Sequence, residues 1–194
     1  MTHTSAPPTA VSTQSTGEPL LNSDLIRARF GSYHVDILRR GTDTRVSALS
    51  SDQDGAKICR TFAVTQFISC ELAIDAAVLE HIESGGSIGA TLRRAGFEVD
   101  KQSLDITGVQ IDEPSHAALE RMHLDAPLTL ALHIYTLGIR DRDVSSPFAI
   151  IAELHHPEFL TETGLRELFT VSDKAPAAAV DLERLRAEVF RIGT

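Results

Sequence analysis

The amino-acid sequence predicts an α+β fold: an antiparallel β-sheet of about six strands with helices inserted between them. Long segments of alternating apolar and polar residues predict the strands, and short turns containing Gly or Asp join several of them as hairpins. Apolar residues at helical spacing occur between these hairpins. Because hairpins connect antiparallel strands, this order favours helices packed on an antiparallel sheet.

The chain is long enough for one domain with a sizeable core. It has 194 residues, of which 42 % are apolar, an ordinary share for a globular protein. Residues 1–20 are rich in Ser, Thr, Pro and Ala and hold too little apolar area to fold alone, which predicts a disordered leader. Residues 21–194 are predicted to form a single domain that ends in a helix.

The first part of this domain predicts one helix and three strands. Asn22, Ser23 and Asp24 are residue types that cap helices, and the helix is predicted to run through Phe30. Strands follow at residues 33–38, 45–50 and 57–68. Their short separations predict an antiparallel meander.

The remainder alternates between helices and strands. Helical spacing of Leu72, Ala76, Leu79 and Ile82 predicts a helix at 71–83. A Gly-rich turn then leads into a short helix at 88–95, with Gly96 as its C-cap. Further strands are predicted at 99–109, 128–140 and 147–156, and further helices at 115–123, 165–169 and 182–190.

The charge balance and the cysteine content exclude several classes of function. Acidic residues outnumber basic ones, 27 to 18, and this disfavours nucleic acid as a partner but not a small anion. Cys59 and Cys70 are too few for a disulfide framework or a cysteine metal site. No apolar run has the length of a membrane span and no signal peptide is evident. We therefore expect a cytoplasmic protein without a membrane partner; its oligomeric state is not indicated.

The Gly-rich turn is the most distinctive motif. Residues 85–92 read Gly-Gly-Ser-Ile-Gly-Ala-Thr-Leu and join two predicted helices. Glycines let a backbone come close to a ligand, and a helix N-terminus offers free N–H groups to an anion. Because the turn follows a helix rather than a strand, its context does not fit a nucleotide-binding loop.

Two charged residues on predicted strands are candidates for chemistry. Arg45 shares one face of its strand with Ser47 and Leu49, where it either grips a carboxylate in bidentate fashion or extends into water. Glu153 follows the apolar run 148–152. It is either a buried carboxyl with a raised pKa or a glutamate on the solvent face of an edge strand.

His155 lies on the same face of its strand as Glu153. The Glu-x-His spacing supplies two metal ligands, and no other spacing of His, Cys or Asp completes a set. The sequence therefore predicts no metal and favours a structural or pocket-lining histidine. No Ser-His-Asp, P-loop or dinucleotide motif is present, and no cofactor is predicted.

Taken in order, these segments resemble the chorismate lyase-like fold, which chorismate pyruvate-lyases share with the ligand-sensing UTRA domains of some transcription regulators. The resemblance covers residues 23–160. It is carried by IRARF at 26–30, RVSAL at 45–49, CRTFAV at 59–64, GGSIGATL at 85–92 and AELHHPEFL at 152–160.

The resemblance implies roles for individual residues. Arg45 is expected to clamp an aromatic carboxylate together with the backbone amides of Ile26 and Ile88. Glu153 is expected to contact the ring hydroxyl. Arg60 matches a second arginine of the lyase pattern and is expected in the substrate site without an assigned role.

His155 is also expected among the substrate-binding residues. With His156 it stands where the lyases have apolar residues. The segment after Gly96 is more similar to UTRA domains than to the lyases.

The function that the resemblance implies is elimination of pyruvate from chorismate to give a hydroxybenzoate, with 4-hydroxybenzoate as the expected product. The reaction gains aromaticity and requires no cofactor. The expected partner is a small aromatic or cyclohexadiene carboxylate. The alternatives are a UTRA-like module that binds an aromatic acid without chemistry, and an enzyme of specialised metabolism acting on a related acid.

Overall fold

A computed structural model describes residues 20–173 and 182–191 of the chain. Apart from Leu20, the predicted leader lies outside these residues. The elements in the described part are, in chain order, α1 (Asn22–Phe30), β1 (His34–Arg40), β2 (Thr44–Gln53), β3 (Ala56–Phe67), α2 (Ala76–Glu83), α3 (Ile88–Arg94), β4 (Glu98–Ile111), α4 (Ala117–Met122), β5 (Leu128–Asp141), β6 (Val144–His155), α5 (Glu162–Leu168) and α6 (Leu182–Arg191).

The six strands form one antiparallel sheet in the order β1-β2-β3-β6-β5-β4. β1, β2 and β3 form the predicted meander, and β4, β5 and β6 form a second one. The two meanders join where β3 pairs with β6. The predicted α+β fold with about six antiparallel strands is therefore confirmed.

The helix predicted at 71–83 is shorter than expected. It begins only at Ala76, because the Asp75 side chain accepts a hydrogen bond from the Ala77 amide at 2.8 Å and so caps the helix there. Leu72 and Ile74 instead pack against the core from the loop before the helix. Their apolar spacing therefore reflects burial and not helical structure.

The two faces of the sheet have different contents. The apolar face is covered by α4 and α6, and its inward residues include Val46, Ala48, Phe62, Val64, Leu132, Ile134, Ile150, Ala152 and Leu154. The pocket face carries the alternate residues of the same strands and is covered by α1, α3 and α5. Arg45, Ser47 and Leu49 share the pocket face, as the alternation predicted.

The Gly-rich turn ends α2 with a Schellman motif. The Gly86 amide donates to the His81 carbonyl at 2.8 Å, and the Gly85 amide donates to the Ile82 carbonyl at 3.3 Å. Gly85 has φ +121°, and a Cβ at Gly86 would lie 2.7 Å from the His81 carbonyl oxygen. Both positions therefore require glycine for a structural reason, and the turn delivers the chain directly into α3.

None of the helices in the described part of the chain combines the length and apolar character needed to cross a membrane.

Candidate functional site

A cavity lies on the pocket face, between the sheet and the starts of α1 and α3. It is lined by strand residues of the pocket face together with Leu21, Asn22 and Ser23 from the start of α1 and Ser87, Ile88 and Gly89 from the start of α3. Its volume is about 50 Å³. Since a single water needs roughly 10–15 Å³ of such space, the cavity has room for a few non-hydrogen atoms.

Arg45 forms one wall of the cavity. Its side chain is buried, and Nη1 donates to the carbonyls of Ile82 at 2.8 Å and Gly86 at 3.2 Å, at the C-terminal end of α2. Nε is buried and has no hydrogen-bond partner. Burial lowers the pKa of Arg45 to about 10, so the guanidinium stays charged at neutral pH. Nη1 of Arg45 thus anchors the Gly-rich turn, while Nε is left without a partner beside the cavity.

Glu153 lies in the centre of the pocket face, and its carboxyl group is buried. Asn22 Nδ2 donates to Oε2 at 2.7 Å and the Tyr135 hydroxyl donates to Oε1 at 3.1 Å. Burial raises the pKa of Glu153, and the Lys101 ammonium and these two hydrogen bonds oppose that rise. β6 lies inside the sheet, between β3 and β5, so the alternative of a solvent-facing edge glutamate is wrong.

Several buried polar atoms around the cavity lack a hydrogen-bond partner. They are the cationic groups Arg45 Nε and Lys101 Nζ and the hydroxyls of Ser23 and Ser47. Leaving such atoms unsatisfied costs about 1–3 kcal/mol each, and more for a charged group. Their concentration around one cavity indicates a binding site for a polar, anionic molecule.

The two backbone amides expected to bind a carboxylate have different positions. Ile88 lines the cavity, and as the first residue of α3 its N–H has no acceptor within the helix. Ile26 does not line the cavity and lies beyond the first turn of α1, where the helix itself supplies an acceptor. The expectation for Ile26 does not fit this geometry. Asn22 and Ser23, the first two residues of α1, have amides that are free within the helix and border the cavity.

Arg60 is also placed differently from the expectation. It is the extra residue of a β-bulge in β3, since Leu49 pairs with Thr61 and Ser50 with Cys59. Its guanidinium donates to Ser51 at 2.8 Å, to Glu158 at 3.0 Å and to Gln53, and it stacks on the Phe30 ring. These partners occupy Arg60 outside the cavity, where it connects β2 and β3 to the segment after β6.

His155 lies beside Glu153 rather than in the cavity lining. Its Nε2 is 3.8 Å from Glu153 Oε2 and has no hydrogen-bond partner, while Nδ1 is 3.1 Å from the Thr61 hydroxyl. Burial lowers the pKa of His155 well below its usual value, and the charges of His133 and Lys101 add to this. The imidazole is therefore neutral at physiological pH.

His133 completes a group of three potential metal ligands that the sequence spacing did not reveal. It pairs directly with Glu153 across β5 and β6, and ligand atoms of His133, Glu153 and His155 lie within 4.8 Å of one another. Burial, and next the Lys101 charge, lower the pKa of His133 to about 3. The positive potential of Lys101 at both imidazoles disfavours a divalent cation there, and the absence of a metal stays a prediction.

Sequence reasoning also missed Asn22, Lys101 and Tyr135. Asn22 was assigned only to a helix cap, and Lys101 and Tyr135 lie in predicted strands without a recognised motif. Alternation shows which residues of each strand share a face with Lys101 and with Tyr135. The sheet register then places both of those faces on the same side of the sheet as Glu153.

No family model matches the chain, and no curated protein is significantly similar to it.

Proposed function

We propose that the protein is a chorismate lyase-like enzyme that eliminates pyruvate from chorismate and releases a hydroxybenzoate, 4-hydroxybenzoate by preference. The observation that carries the proposal is the meeting of Arg45 and Glu153 in one buried cavity. Arg45 offers an unpartnered donor edge there, and Glu153 has a raised pKa. A cationic donor for a carboxylate on β2 and a partner for a hydroxyl on β6 match the polar groups of a hydroxylated ring acid.

The groups have distinct tasks in this proposal. Arg45 binds the ring carboxylate through its Nε edge, and the Ile88 amide donates a further hydrogen bond to the same group. Glu153, held by Tyr135 and Asn22, faces the ring hydroxyl. In the elimination the ring C–O bond to the enolpyruvyl group breaks, the ring carbon that bears the hydroxyl loses its hydrogen as a proton, and the departing enolpyruvate takes up that proton to become pyruvate. Because this makes the ring aromatic, the protein needs only to orient the ether and to stabilise developing charge away from water.

The cavity must open for the ring to enter. Its volume of about 50 Å³ is a third of the roughly 150 Å³ of a cavity that binds benzene. Besides Tyr33, the walls that are not part of the sheet come from Leu21 and the first residues of α1 and from the start of α3, so these two segments are the lids in this proposal. A Cβ at Gly89 would lie 2.6 Å from Leu21 Cδ2, which shows how closely the two segments approach each other.

A binding module without chemistry is the second candidate. The unpartnered donors around the cavity account for anion binding whether or not a reaction follows. Such a module would bind hydroxybenzoate tightly and release no pyruvate.

Incubation of the purified protein with chorismate tests the proposal. Pyruvate and aromatic product are measured together, against a sample without protein that corrects for spontaneous breakdown. Equal, enzyme-dependent amounts of pyruvate and hydroxybenzoate are expected. Arg45→Met and Glu153→Gln should both lose turnover, whereas Glu80→Gln on the exposed surface of α2 should not. Tight hydroxybenzoate binding without pyruvate would identify the binding module instead.

A further inference from the structure

Lys101 is a buried cation that the roles assigned so far do not use. It lies on β4, its ammonium nitrogen lines the cavity, and that nitrogen is buried without a hydrogen-bond acceptor. The residue as a whole is half-buried. The ammonium lies over the Tyr135 ring, 4.1 Å from its centroid, and 5.2 Å from that of Phe169.

This position is unfavourable for a lysine without a ligand. Burial lowers the pKa of Lys101, and the Glu153 charge only partly offsets this. Among the described residues, the Lys101 ammonium forms no ion pair with a carboxylate and has no hydrogen-bond partner. A long side chain at an edge strand can usually reach water, so an ammonium held over two aromatic rings inside a cavity suggests an anionic partner that binds there.

Lys101 and Arg45 approach the cavity from opposite sides. In the sheet order, β3, β6 and β5 separate the Arg45 strand from the Lys101 strand. Four strand spacings correspond to roughly 19 Å between the two backbones. Glu153 stands on β6, between them. The cavity therefore has a cation at each side and a carboxyl group in the middle.

We propose that Lys101 binds a second anionic group, so that the site takes a dicarboxylate whose two carboxylates lie on either side of a hydroxyl-bearing ring. The inference rests on the proposed function for the assignment of the first carboxylate to Arg45. For an enolpyruvyl ether, the second carboxylate is that of the side chain that leaves as pyruvate. Lys101 then distinguishes the substrate from the monocarboxylate product.

Calorimetric titration with two stable ring acids tests this. One is 4-hydroxybenzoate, with a single carboxylate; the other is 3-(carboxymethoxy)-4-hydroxybenzoate, which adds a second one through an ether. The wild-type protein should bind the diacid about tenfold more tightly or better, since a buried charge-assisted pair is worth at least that. Lys101→Met should abolish this preference and change monoacid affinity less than about threefold. Lys101→Arg should retain part of it.

Lys57→Met is the matched control, because Lys57 is exposed and pairs with Asp36 away from the cavity. It should leave both affinities unchanged. Equal loss of both affinities in Lys101→Met, persistence of the diacid preference in that variant, or no preference in the wild type would overturn the inference. The lyase proposal fails separately, through the absence of pyruvate from chorismate.

Discussion

The two faces of the sheet are built from alternate residues of the same strands, and they differ in the polar groups that they bury. On β2, Val46 and Ala48 enter the apolar face, while Arg45 and Ser47 line the cavity. On β6, Ala152 and Leu154 are apolar neighbours of Glu153. The apolar face contains a close-packed core, whereas the pocket face leaves charged and hydroxyl groups without partners. Both faces stabilise the fold, since the pocket face has its own apolar cluster that includes Leu49, Leu137 and Ile151, but the pocket face adds a cavity lined by polar groups without partners.

Glu153→Gln should produce the largest change, confined to the pocket face. We expect pyruvate release to fall by about 10²–10³, the usual cost of removing one group that stabilises charge developing in the reaction. The melting temperature should change by only a few degrees, because glutamine keeps the shape and loses one of the two accepted hydrogen bonds, while it also removes a charge that burial disfavours. Steady-state kinetics and thermal unfolding measure both effects. Near-normal turnover, or a collapse of stability, would contradict the assignment.

Phe62→Ala is the matching change on the apolar face. Phe62 is fully buried among the core residues under α4 and α6. Its truncation should cost about 3–5 kcal/mol of unfolding free energy. Ligand affinity at a temperature where the variant is folded should stay within about threefold, since the two faces share backbone but not side-chain contacts. A selective loss of affinity would mean that the two faces are coupled.

The two buried arginines differ in the same way, since Arg45 lines the cavity and Arg60 lies outside it. Arg45→Met should weaken binding of 4-hydroxybenzoate about tenfold to a hundredfold, because it removes a charge-assisted pair to the carboxylate. Arg60→Met should leave this affinity unchanged and lower stability by about 1–3 kcal/mol, since Ser51 and Gln53 lose their buried donor. Titration calorimetry and denaturant unfolding separate the two outcomes. A loss of 4-hydroxybenzoate affinity in Arg60→Met would show that Arg60 belongs to the binding site.

The last expected effect is that of a substitution at His133 on the pH dependence of the melting temperature. Folding lowers the pKa of His133 from about 6.5 to about 3. Between these two pH values the imidazole is protonated in the unfolded chain and neutral in the folded chain. The free energy of unfolding is therefore not reduced by His133 above about pH 6.5, and it falls progressively as the pH drops from 6.5 toward 3. His133→Gln should therefore lose less melting temperature than the wild type between pH 7.5 and pH 5, by about 4–8 °C, which corresponds to about 2 kcal/mol at the lower pH.

The exposed His81→Gln variant is the control for this measurement. An identical pH profile in the wild type and in His133→Gln would show that the neutral imidazole contributes nothing to acid stability.

Much of the fold could be predicted because alternation and turn residues act locally. The strands were found within a few residues of their ends, and the apolar spacing of 71–83 misled only because loop residues there are also buried. The site was less predictable. Arg45, Glu153 and Ile88 border one cavity as expected, but Ile26 and Arg60 lie outside it. The predicted helix start already placed Ile26 beyond the first turn, where its amide is used by the helix, whereas the bulge that redirects Arg60 is not visible in the spacing.

The order of strand, turn and helix patterns in the sequence was enough to predict the α+β class. Alternation was enough to predict which residues of each strand share a face, because successive side chains of a strand point to opposite sides. The residues of different strands that lie side by side are known only from the pairing and order of the strands in the folded sheet. The register of β5 against β6 sets His133 beside Glu153, and the sheet order puts Lys101 and Arg45 at opposite sides of it. Such pairings join residues far apart in the chain, and their partners are selected by packing of the whole sheet rather than by local propensity.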